Sequence, residues 1–275
     1  MILRVCLYCV IAGLAFTIPA LGLGHFGWWW ISGILVAASL VSVSRFGPRH
    51  LLAQFGTTFL VLAVVGTLCT LSEAIVFFPE MKAQVKTSLV GGIVMDLLLA
   101  VVLVALARVL KLAEPAGEPA LLRSPQLTGL FVVLAGLSYV VYYEIFGFIA
   151  FHFFTNQYYP HAVEQATAMG IWFWAYQWAR GLMMTLAVLP IVLSLRLPRW
   201  QAALAVGMIV WIVGGGGSLL VPNTMMVAAQ RYIHIIEIMT QNVSLGVTAV
   251  LLLRRPTSTR DTLSTSHPLV STRLS

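Results

Sequence analysis

Residues 228–253 read AAQRYIHIIEIMTQNVSLGVTAVLLL, an apolar stretch long enough, as a helix, to cross the roughly 30 Å hydrocarbon core of a bilayer. Five of its polar members are Arg231, His234, Glu237, Gln241 and Asn242. At 100° per residue they fall within roughly 140° of one helix face. Ionisable groups at bilayer depth are costly, so they face a protein interior or a water-filled space and mark a candidate functional site.

The rest of the chain has the same character. It is 60% hydrophobic and 9% charged, with mean hydropathy +0.94, outside the range of soluble domains. The net charge of +7 does not point to nucleic acid, because Lys and Arg sit in short connections between apolar spans. No stretch outside the spans is long enough for a soluble core, so one membrane domain covers 1–255.

Eight stretches read as transmembrane helices: Ile2–Leu21, Gly27–Ser44, Phe55–Phe78, Ser88–Leu110, Leu127–Phe151, Met169–Leu193, Trp200–Val221 and Val227–Leu253. The first also has a signal-peptide reading, because Arg4 precedes an apolar run. It is kept as a span because it runs directly into another and lacks a small-residue cleavage site. With both termini cytoplasmic, twelve Lys and Arg lie inside and two, Lys82 and Lys86, lie outside, as the positive-inside rule expects. An odd number of spans would spoil that alternation. The expected location is therefore the cell membrane.

Residues 113–124, rich in proline, read as a flexible connection between halves 1–112 and 125–255; the Ser/Thr-rich tail 256–275 reads as disordered. Val10-Ile11-Ala12-Gly13-Leu14-Ala15-Phe16 resembles Val133-Leu134-Ala135-Gly136-Leu137-Ser138-Tyr139. Two parallel four-helix halves would produce that likeness, and so would chance among apolar helices.

Given this orientation, Glu73, Asp96, Glu144, Gln177, Arg180, Arg231, His234 and Glu237 cluster in the middle to outer part of the bilayer. Two readings stay open. The ions are structural staples, Arg180 with Glu144 and Arg231 with Glu73, or they form a site. In the second reading Gln177, Arg180, Arg231 and Asn242 bind a solute, since a guanidinium fork suits carboxylate or phosphate. Glu73, Asp96, Glu144, His234 and Glu237 then relay protons.

His234-x-x-Glu237 also has imidazole–carboxylate spacing for a metal, but would need a further ligand such as Glu73, Asp96, Glu144 or His152. We expect neither metal nor cofactor. Cys6-x-x-Cys9 and Cys69 read as apolar filler. Gly214-Gly215-Gly216-Gly217 invites a kink in the seventh span, because each glycine costs a helix about 1 kcal/mol relative to alanine. On that ground alanine at Gly215 and Gly216 is expected to raise helix stability.

Spans six to eight resemble a family of uncharacterised bacterial polytopic membrane proteins. The likeness rests on Gln177-x-x-Arg180-Gly181 and on Arg231-x-x-His234-x-x-Glu237-x-x-x-x-Asn242. It implies bacterial origin and carries no activity. The leading expectation is a small transporter with an outward-opening polar site at mid-membrane for a small anionic solute. The alternatives are a membrane enzyme acting on a lipid or lipid-linked substrate, and a structural or assembly subunit.

Overall fold

A computed structural model describes residues 1–18, 20–114, 121–159 and 162–256. Its regular structure is helical, with one isolated bridge, Leu122 to Arg254, among the described residues. The main helices are α1 (Ile2–Ala15), α2 (Phe26–Phe46), α3 (Leu51–Phe77), α4 (Val85–Val109), α5 (Pro125–Ala150), α6 (Ile171–Ser194), α7 (Arg199–Trp211) and α8 (Ala228–Leu253). Six of them, α2 to α6 and α8, are long and apolar enough to cross a membrane. Leu98, Val101, Leu137, Phe148 and Ile236 stand exposed on its perimeter, a surface that suits hydrocarbon better than water.

The expected count of eight thus meets six full-length helices, and the two shortfalls have local causes. α1 has 14 residues, about 21 Å of helix, and ends where Thr17 Oγ1 bonds back to the Leu14 carbonyl at 2.6 Å. α7 stops at Trp211 and continues as a π turn (Ile212–Gly216) and a 3-10 turn (Ser218–Leu220). The glycine run has broken this helix. Gly214 sits at φ −79°, ψ 21° and Gly215 at φ 136°, ψ −31°, a backbone that L side chains rarely adopt. α3 carries a π segment of its own, Val61–Leu68, which the sequence VLAVVGTL does not announce. The two distorted segments pack together at Gly66, where a Cβ would lie 3.3 Å from Val213 Cγ1.

Small residues set the helix spacing. A Cβ at Gly33 would lie 2.5 Å from Phe16 Cβ and 2.8 Å from the Gly13 carbonyl, so α2 presses onto α1. A Cβ at Gly181 would lie 2.5 Å from Tyr139 Cβ and 2.5 Å from the Gly136 carbonyl, so α6 presses onto α5 in the same way.

Basic residues gather at one end of the bundle. Arg45 pairs with Glu114, and Arg108 bonds the Arg49 carbonyl and, at 3.1 Å, Gln54. Arg199 and Arg123 bond the carbonyls of Leu251 and Leu252. Arg254, 2% exposed, donates to the carbonyls of Val192, Leu195 and Leu197 at 2.7, 2.7 and 3.0 Å. Burial lowers its pKa to about 10, and the three carbonyls take up its donors at the C-terminus of α6, where positive charge is favoured. The connection expected to be flexible is tied at both described ends, by Glu114 and by Leu121, whose carbonyl accepts from Arg255 N at 2.9 Å. Its middle, 115–120, and the tail from 257 lie outside the described residues.

Candidate functional site

Opposite the arginine end, α3, α5, α6, α8 and the broken segment enclose a cavity of about 350 Å³. α3 supplies Thr70, Glu73, Ala74 and Phe77, the i, i+3, i+4, i+7 face of one helix. α8 supplies His234, Glu237 and Ile238 by the same periodicity, and α5 supplies Tyr143, Glu144 and Gly147. Gly214, Gly215 and Ser218 form the wall where α7 gives way. Phe148, Phe173, Trp174 and Tyr159 complete an aromatic enclosure. Tyr159 lies just beyond α5 at the mouth, where burial pushes its pKa up to about 12 against the hydrogen bond from Gln230, so its hydroxyl stays protonated.

Two polar assemblies face one another across this space. In the first, Arg180 meets Glu73 fork to fork, Nη1 to Oε1 at 2.7 Å and Nη2 to Oε2 at 2.5 Å. The Arg180 side chain is 2% exposed and that of Glu73 13%, so the carboxylate borders the cavity and the guanidinium lies behind it. Tyr139 closes the far side, its ring centre 5.5 Å from the Arg180 guanidinium carbon. In the second, His234 Nδ1 lies 2.9 Å from Glu237 Oε2, and Gln241 Nε2 donates to Glu237 Oε1 at 3.2 Å. Both oxygens of Glu237 are thereby engaged.

The pairings differ from those expected. Arg180 takes Glu73, whereas Glu144 is exposed and stands at the cavity edge. Arg231 is buried, and its Nη1 reaches the carbonyl of Leu220 at 3.4 Å, at the end of the broken segment. Asn242, wholly buried, donates to the Val210 carbonyl at 3.1 Å, a group whose intrahelical partner would have been the amide of Gly214. Arg231 and Asn242 therefore brace the two ends of the distortion.

Of the nine residues singled out in the sequence, Glu73, Glu144, His234 and Glu237 line this cavity. Gln177, Arg180, Arg231 and Asn242 do not, and Asp96 lines a different one. Gln177 is wholly buried, and neither atom of its amide finds a hydrogen-bond partner among the described residues; nor do Tyr139 Oη, Thr70 Oγ1 and Arg180 Nε. Among the described residues no three His, Cys, Asp or Glu come together as metal ligands. The aromatic walls and Thr70 were missed in the sequence, although Thr70-x-x-Glu73-Ala74-x-x-Phe77 carries a helical spacing that would have found that face. Comparison with protein-family models, with curated proteins and with solved structures gave no match for this chain.

Proposed function

We propose that the chain is a small transporter whose cavity takes an amphipathic organic cation, such as a lipophilic amine. The carrying observation is the charge of the lining: Glu73, Glu144 and Glu237 with His234, inside aromatic walls. The guanidiniums expected to hold an anion are engaged elsewhere, Arg180 by Glu73 and Arg231 by the Leu220 carbonyl. Carboxylates attract an ammonium, aromatic faces add cation–π attraction, and about 350 Å³ suits a drug-sized ligand. The broken helix beside the site supports transport rather than static binding, because broken helices border the sites of many carriers.

Tetraphenylphosphonium and tetraphenylborate, matched in shape and opposite in charge, test the reading. Purified protein should bind the cation saturably, followed by quenching of fluorescence from Trp174 and its neighbours, and should not bind the anion. Glu237→Gln should weaken the cation about tenfold or more, the loss of one close charge contact. Tighter binding of the anion would overturn the assignment. The His234–Glu237 contact also favours a second reading, a general base acting on a lipid-linked substrate. Turnover of such a substrate, lost in His234→Ala while cation binding persists, would establish that instead.

The same proposal includes eight crossings, with α1 and α7 completed by the turns that follow them, and both termini on the cytoplasmic side. It also includes two parallel halves. Gly33 on Gly13 and Gly181 on Gly136 are matching contacts, and the π segments of α3 and of the chain after α7 hold corresponding places. Single cysteines at Gln84 and Gln165 should then label from outside intact cells, and one at Ala116 should stay protected. Labelling at Ala116 would reverse the orientation.

A further inference from the structure

A second cavity, about 310 Å³, lies against the other side of the broken segment and shares Ser218 with the first. Its charged group is Asp96 of α4, 9% exposed, whose Oδ2 accepts from Thr67 Oγ1 at 2.5 Å. Thr67 belongs to the π segment of α3. Gly92 admits its side chain, since a Cβ there would lie 2.6 Å from Thr67 Cγ2. Phe16, Trp29, Ser32, Met95 and Ser218 face Asp96's cavity from the end of α1, from α2 and α4 and from the broken segment, and none is ionisable. Glu73, further along α3, faces the first cavity instead.

A carboxylate at this depth, with one hydroxyl donor and no Arg, Lys or His lining its cavity among the described residues, has its charge uncompensated by them. Asn242 shows what a purely structural group does in a like position. It stands beside Gly214 and satisfies the Val210 carbonyl with no charge at all. Asp96 instead accepts from the Thr67 hydroxyl, which an amide oxygen could do as well, so its ionisable carboxyl adds something that the hydrogen bond alone does not require. Thr67 Oγ1 bonds it, and Ser32 and Ser218 bring two further hydroxyls to the same cavity, with Ser32 Oγ 3.3 Å from where a Gly217 Cβ would stand and Ser218 Oγ donating to the Gly215 carbonyl at 3.1 Å. Hard cations take such oxygen ligands.

We infer that this second cavity is a binding site for one monovalent cation, with Asp96 as its charged ligand and Thr67, Ser32 and Ser218 as neutral ones. The cation is a proton or Na⁺, and its place on the broken segment, back to back with the first cavity, lets its occupancy bias that segment. With a proton, the carboxylate becomes the acid and its charge is cancelled. With Na⁺, the carboxylate stays ionised.

The experiment uses purified full-length protein without solute, so its outcome is independent of what the first cavity takes. Thermal unfolding is followed as NaCl replaces choline chloride at constant ionic strength. Infrared difference spectra between about pH 5 and pH 9 follow the protonated-carboxyl band. A saturable rise in midpoint with Na⁺, lost in Asp96→Asn and retained in Glu237→Gln, identifies Na⁺. A titrating carboxyl band lost in Asp96→Asn, with no Na⁺ effect, identifies the proton. Thr67→Ala keeps the carboxylate and should weaken Na⁺ about tenfold or raise the titration midpoint by about one unit, which holds the test open if Asp96→Asn fails to fold. Neither response in the wild-type protein, or responses untouched by both variants, would overturn the site.

Discussion

Glu73→Gln is expected to lower the stability of the solubilised protein by about 3–5 kcal/mol, the cost of leaving a buried partner charge uncompensated. Arg180 is 1% exposed, and both of its terminal nitrogens are committed to the Glu73 carboxylate. A glutamine in that place offers one carbonyl oxygen and no charge. The double variant Glu73→Leu with Arg180→Met removes both charges and should recover most of the loss, because an apolar replacement of a buried pair is often close to neutral. Thermal unfolding followed by tryptophan fluorescence measures both. A single variant melting with the wild type would show that water already reaches the guanidinium. The double variant separates staple from site: if it is stable yet no longer takes up the cation, Glu73 serves the cavity as well as Arg180.

Alanine at Gly215 reverses the sign that helix propensity gives it. Propensity alone promises a gain of about 1 kcal/mol for each glycine replaced. At φ 136°, ψ −31° there is no helix to gain, and an L residue held there costs on the order of 1–3 kcal/mol. The new Cβ would also lie 3.1 Å from Ile238 Cδ1, on the cavity wall. At Gly216 the obstacle is Trp211, whose indole Nε1 would lie 2.7 Å from the added Cβ and donates to the Ile235 carbonyl at 3.2 Å. Gly215→Ala and Gly216→Ala should each lower the unfolding midpoint and weaken cation binding together. A raised midpoint would mean that the segment relaxes into regular helix.

Hydrophobic length made the six long helices legible, each to within a few residues, because an uninterrupted apolar run leaves little freedom in where a helix lies. The glycine run announced its own break. The polar face of α8 was legible as a face, since His234 and Glu237 must share it at three residues' separation. Which face meets which helix was not legible. Periodicity describes one helix at a time, and the choice of Glu73 over Glu144 as partner of Arg180 depends on how α3, α5 and α6 pack. The π segment in α3 was hidden too, because nothing in VLAVVGTL sets it apart from the rest of an apolar span. The sequence could not show the carbonyls of Leu220 and Val210, to which Arg231 and Asn242 donate beside the broken helix.

The arginines at the far end also make the molecule mechanically unequal along its length. Arg123, Arg199 and Arg254 tie the last turns of α6 and α8 to neighbouring elements through guanidinium hydrogen bonds to main-chain oxygens. At the opposite end the walls meet through aromatic rings and through the buried pair of Arg180 with Glu73. A sheaf tied more tightly at its base than at its rim is expected to loosen progressively toward the rim. Amide exchange should follow that gradient, slowest beside Leu253 and fastest around Ser218.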